Sequence, residues 1–75
     1  MSSTDKGPSY SAVLRHPDTD EDLGPVSVDG AWSEAEAVQL AKANAPARVQ
    51  EEGLSRAFVQ VSRNGYSLGR FEVNA

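Results

Sequence analysis

The chain contains no cysteine. Disulfide bridges, thiolate nucleophiles and cysteine-ligated zinc are excluded with it. The absence fits a reducing compartment, so a cytoplasmic location is the expectation. No apolar run approaches the roughly 20 residues of a membrane-spanning helix, and no membrane contact is expected. Met1 to Ser9 is polar and lacks the hydrophobic segment of a secretory signal. There is a single histidine, His16, at the end of an apolar alternation beside Pro17. A serine nucleophile would have only this histidine to serve as its imidazole base, and nothing marks a partner serine. The glycines are scattered through turns and form no phosphate-binding loop. Carboxylates cluster only in a loop, where neither burial nor positioning would tune them for acid–base work. The expectation is therefore no enzyme, no cofactor and no metal.

What is present bounds a small fold. Seventy-five residues make one domain with a thin stability margin. Aromatics are 7%, so the core has few large fillers. Residues 1–8 are expected to form a disordered tail, and 9–75 a single domain. The formal charge is -4, unevenly spread. Residues 1–37 hold eight acids and two bases, and residues 38–75 hold three acids and five bases. An acidic chain has no general electrostatic pull toward nucleic acid, which makes nucleic acid an unfavoured partner.

Tyr10 to His16 alternates as a strand, with Tyr10, Ala12 and Leu14 on one face and Ser11, Val13 and Arg15 on the other. Pro17 stops it. An acidic loop follows, and Val26 to Val28 is expected as a short second strand closed by Asp29-Gly30. "WSEAEAVQLAKANAP" then predicts a helix. Ser33 and Glu36 form a capping box, and Glu34 and Glu36 suit the positive end of the helix dipole. Ala37, Val38, Leu40, Ala41 and Ala45 make the apolar stripe. Trp32 is expected as a hydrophobic staple and core lid. Pro46 is expected to break or kink the helix after Ala45. A short helical connector would then run from Pro46 to Gly53, mobile or partly exposed, with Val49 its one large apolar residue.

"RAFVQVSRNGYSLGRFEV" predicts a hairpin turning at Asn64-Gly65. A regular two-residue turn would place Arg70 opposite the core residue Val59. A bulge at Gly69 repairs this, putting Tyr66, Leu68, Phe71 and Val73 on one face opposite Ala57, Val59 and Val61. The fold class that follows is α+β: a two-layer, antiparallel four-stranded sheet in β-β-α-β-β order, one main helix on one face and the connector after it. The other sheet face is expected to be solvated and to carry Arg56, Phe58, Gln60, Ser62 and Arg70, near Arg15.

Two surfaces are candidates for binding. The first is the loop "HPDTDEDLGP", whose Asp18, Asp20, Glu21 and Asp22 could be offered to a lysine- or arginine-rich protein. This suits an accessory or inhibitor protein that blocks a basic site. In size and composition the chain is of the kind met among small bacterial or phage-encoded proteins, with no motif behind that likeness. Asp18, Asp20, Asp22 and Asp29 approximate a calcium loop. However, Leu23 replaces its glycine, Pro25 interrupts it, and the closing ligand is a short aspartate. The second surface is the sheet face of Arg56, Phe58, Gln60 and Arg70. It offers weak single-stranded nucleic-acid binding by stacking on one aromatic, or, with a sheet edge, a structural homodimer.

Overall fold

The computed structural model describes residues 9–75, and the tail expected over residues 1–8 lies outside them. Among the described residues, four strands and one helix follow in chain order: β1 (Tyr10–Arg15), β2 (Asp22–Val26), α1 (Glu34–Glu51), β3 (Arg56–Arg63) and β4 (Tyr66–Asn74). Every neighbouring strand pair is antiparallel, and the spatial order is β2-β1-β3-β4. The helix lies on one sheet face, so the two-layer α+β architecture is present. No helix among the described residues is long and apolar enough to cross a membrane.

Alternation sorts the strand residues between the layers. On β1, Ala12 and Leu14 are buried, while Ser11 is exposed and Val13 and Arg15 are half-buried. On β3, Ala57, Val59 and Val61 are fully buried and face Val73, Phe71 and Gly69 of β4. Ala12 and Leu14 face Val61 and Val59 from the other side. Burying each of Leu14, Val59 and Val61 stabilises the fold by about 1.5–3 kcal/mol.

The helix begins as its capping residues dictate. The Ser33 Oγ accepts from the Glu36 N–H at 3.2 Å, and the Glu36 carboxylate accepts from the Trp32 N–H at 2.6 Å. Ala37, Ala41, Ala45 and Val49, spaced by four, are all 0% exposed. Alanine at three of these positions lets the axis lie close to the sheet.

Two expected boundaries are corrected. The helix does not break at Pro46; it runs to Glu51, and the expected connector from Pro46 to Gly53 is its last part. An interior proline costs about 3 kcal/mol through a lost hydrogen bond and a crowded carbonyl. Continuation prevails because Val49 extends the buried alanine stripe and Arg48 bonds to the β2 backbone. Val49 is thus core and no part of a mobile connector. Gly53 does end the helix, with a φ of 74°. The Gly53 N–H donates to the Gln50 carbonyl at 2.9 Å and the Leu54 N–H to that of Val49 at 3.0 Å, a Schellman closure.

The second strand is Asp22–Val26, and not Val26 to Val28. Val28 is buried beyond its end. Pro25 is tolerated within it because β2 is an edge strand, where an N–H pointing outward is not needed. The ladder shifts between Val13 and Arg15, opposite Gly24. Gly24 has a φ of 110°, and a Cβ there would stand 2.8 Å from the Arg48 guanidinium.

The hairpin turns as expected, with φ of 51° at Asn64 and 89° at Gly65, a type I′ pattern. The bulge is present too. Val61 faces Gly69 but Ser62 faces Ser67, leaving Leu68 as the extra residue. Beyond it, Val59 faces Phe71 and Gln60 faces Arg70, so Phe71 and Val73 join the helix face.

Candidate functional site

The acidic segment is a tied turn. The His16 Nδ1 accepts from the N–H groups of Asp18 and Thr19, at 3.1 and 3.3 Å. The His16 backbone closes the hairpin, its N–H donating to Glu21 at 2.9 Å and its carbonyl accepting from Asp20 at 3.0 Å. The Thr19 hydroxyl accepts from the Glu21 N–H at 3.3 Å, and Asp22 Oδ1 accepts from the Gly24 N–H at 2.8 Å. Asp20 takes a positive φ of 62°, a conformation an aspartate adopts more readily than most residues. The single histidine is thus a backbone cap, and local hydrogen bonds hold the turn closed despite its like charges.

The four acids do not act alike. The Asp20 carboxylate meets the Arg70 guanidinium of β4 at 2.9 Å. The Asp20 carbonyl accepts from Arg15 Nη1 at 3.3 Å. Asp22 belongs to β2 and holds Gly24. Asp18 and Glu21 are exposed, and among the described residues neither carboxylate has a partner. The calcium-loop spacing is not realised, because Asp20 turns to Arg70 and Asp22 lies in a strand. Among the described residues no group of three or more potential ligands is placed to hold a metal ion.

The sheet face away from the helix carries the second candidate set. Register aligns Asp22, Arg15, Phe58 and Glu72 in one row across the four strands, and Pro25, Val13, Gln60 and Arg70 in the next. Arg70 lies over the Phe58 ring, its guanidinium carbon 5.0 Å from the centroid. Arg56 pairs with Glu72 at 3.0 Å, and the Gln60 amide donates to the Ser67 hydroxyl at 3.3 Å. The two candidate surfaces therefore meet. The acidic turn folds over the sheet face through Asp20, and Arg70 is held between that carboxylate and the Phe58 ring. These side chains are largely exposed, so the ion pair itself contributes little, typically under about 1 kcal/mol. Its consequence is geometric: it fixes where the turn sits.

Sequence reasoning missed what surrounds these surfaces. Arg48 of α1 reaches the β2 edge, donating from Nη2 to the Leu23 carbonyl at 2.7 Å and from Nε to the Pro25 carbonyl at 3.3 Å. Asn44 donates to the Ser27 carbonyl at 2.7 Å. Arg48 also meets Glu51 at 2.6 Å, which brings Glu51 and the neighbouring Glu52 to the acidic end of the molecule. Trp32 is 76% exposed and Tyr66 79% exposed, so Trp32 is not a core lid. A signal for this was available: the helix position a staple would grip is Ala37, too small to hold an indole. On the helix side of β4, a groove is lined by Glu34, Ala35, Val38, Gln39, Leu68 and Phe71. The Lys42 ammonium stands 4.9 Å over the Phe71 ring.

No family model matches the chain, and neither a curated protein nor a solved structure matches it significantly.

Proposed function

We propose that the protein is a small non-enzymatic binding module that presents its acidic end to a basic surface on another protein. The observation that carries this is the tied turn. His16, Thr19 and Asp22 fix its backbone and Asp20 docks it on the sheet, while Asp18, Glu21 and Asp22 remain exposed. A surface already in its bound shape loses less freedom on association. Glu51 and Glu52 add charge at the same end, at the negative pole of α1, where acids are locally unfavourable. An accessory or inhibitory role, covering a basic site such as one that binds nucleic acid, follows from that chemistry.

Nucleic-acid binding by stacking is the weaker alternative. A base placed on Phe58 has to displace Arg70 from the ring and break its pair with Asp20.

The test is capture by the tagged protein from cell lysate, with and without nuclease. It is repeated with Asp18→Asn, Glu21→Gln and Asp22→Asn combined. These amides remove charge while Asn at position 22 keeps an oxygen for the Gly24 N–H, and Asp20 is left on Arg70. The expected partner survives nuclease, is lost with the triple variant, and binds more weakly as salt rises. Capture that needs nucleic acid and ignores the variant would transfer function to Phe58, where Phe58→Ala then costs about 1–3 kcal/mol of binding.

A further inference from the structure

The two sheet edges differ in what is left unpaired. Alternation along an antiparallel ladder sends the N–H and C=O of successive residues to opposite sides. The Ala75 N–H donates to the Ser55 carbonyl, and Val73 and Phe71 precede it in phase toward β3. The backbone groups of Arg70, Glu72 and Asn74 therefore point away from the sheet. No side chain among the described residues takes them. At the β2 edge the outward carbonyls of Leu23, Pro25 and Ser27 are occupied by Arg48 and Asn44, and Pro25 has no N–H.

We propose that the β4 edge pairs with the β4 edge of a second copy, antiparallel and centred on Phe71. Charge complementarity selects this partner and this register. Centring on Phe71 sets Arg70 opposite Glu72 of the second copy, and Glu72 opposite its Arg70. Both pairs lie on the open face, and each exchanges two backbone hydrogen bonds. Centring on Glu72 would oppose two glutamates; centring on Arg70 would oppose two arginines. The bulge at Leu68 confines regular pairing to the stretch from Arg70 onward, the stretch that carries both charges. The two-fold axis stands perpendicular to the sheet, so both helices lie on one face of a continuous eight-stranded sheet. There the two Phe71 rings meet across the axis, flanked by the half-buried Leu68 side chains. Lys42, already over each ring, stands beside this aromatic pair. Glu34 is the other charged side chain lining that groove. Arg70 already pairs with Asp20 and Glu72 with Arg56, so each contact across the axis extends an existing pair, while Asp18, Glu21 and Asp22 lie outside it.

Sedimentation of the full chain from roughly 10 µM to 1 mM should show a reversible monomer–dimer equilibrium. Over the same range the Arg70 and Glu72 amides should gain protection from hydrogen exchange. Glu72→Arg, which sets arginines opposite each other twice and leaves Asp20 on Arg70, should weaken the dimer about tenfold or more. Circular dichroism confirms that this variant folds, and the triple acid-to-amide variant of the turn should leave the dimer unchanged. A monomer at every concentration with unchanged exchange at Arg70 and Glu72 overturns the proposal. So does a dimer whose protection appears elsewhere. The exchange readout needs no substitution, so a variant that failed to fold would not spare the proposal.

Discussion

At the β2 edge of the sheet, Pro25 offers no N–H, and α1 lays Arg48 and Asn44 against the outward carbonyls. At the β4 edge, where the helix lines the groove with Glu34, Ala35, Val38 and Gln39, no side chain among the described residues takes the outward backbone groups. The strands account for part of the difference, since β2 holds Pro25 and β4 has no proline. The C-terminal half of α1 carries Asn44 and Arg48 to the β2 edge, and its N-terminal half lines the groove beside β4. Edge protection here is thus shared between a proline in the strand and side chains on the other layer, the latter set by where one helix begins and ends. Had Pro46 ended the helix, Arg48 would not be placed to seal β2.

That contrast can be broken from either side. The largest effect should come from Ala45→Leu. Position 45 is 0% exposed and carries no side chain beyond a methyl. Leucine would lift the C-terminal half of α1 from the sheet, destabilising the protein by about 3 kcal/mol in urea unfolding. Unchanged stability would mean that the alanine stripe does not set the spacing of the layers. Arg48→Ala should cost about 2 kcal/mol, because it strips charge-assisted hydrogen bonds from two carbonyls. It should also open the β2 edge, seen as new concentration-dependent association in sedimentation. If Arg48→Ala loses stability yet gains no association, the proline alone is enough to guard that edge. The smallest effect belongs to Trp32→Ala, expected within about 0.5 kcal/mol of the parent because the indole is exposed. A loss of 2 kcal/mol there would restore the core-lid role that the sequence suggested.

Local patterns carried much of the architecture. Alternation placed β1 and β3, Asn64-Gly65 placed the hairpin, and Ser33 with Glu36 placed the helix start. The bulge was legible because an arginine opposite Val59 is chemically wrong. The two misplaced boundaries share a cause: each was decided by contacts remote in sequence. Gly24 and Pro25 look like punctuation in "DLGPV", yet β2 forms through them because it is an edge and Arg48 holds its carbonyls. Pro46 looks like a stop, yet Val49 is buried beyond it. The site was legible only as two separate lists of residues. The pair of Asp20 with Arg70 joins the acidic turn to the sheet face, and no local pattern encodes it. It also divides the four acids into one that docks the turn, one that caps the β2 backbone, and two that face solvent.

Everything on the β4 side depends on the bulge at Leu68. It sends Phe71 and Val73 to the core, Arg70 to Asp20 and Phe58, and the Arg70 and Glu72 backbones outward. Amide hydrogen exchange along β4, in dilute protein where self-association is negligible, tests this most directly. The expected result is slow exchange at Phe71 and Val73 and fast exchange at Arg70 and Glu72. An unbulged hairpin would reverse the pattern residue for residue. Protection at Arg70 and Glu72 in dilute solution would contradict both the assembled site and the open edge.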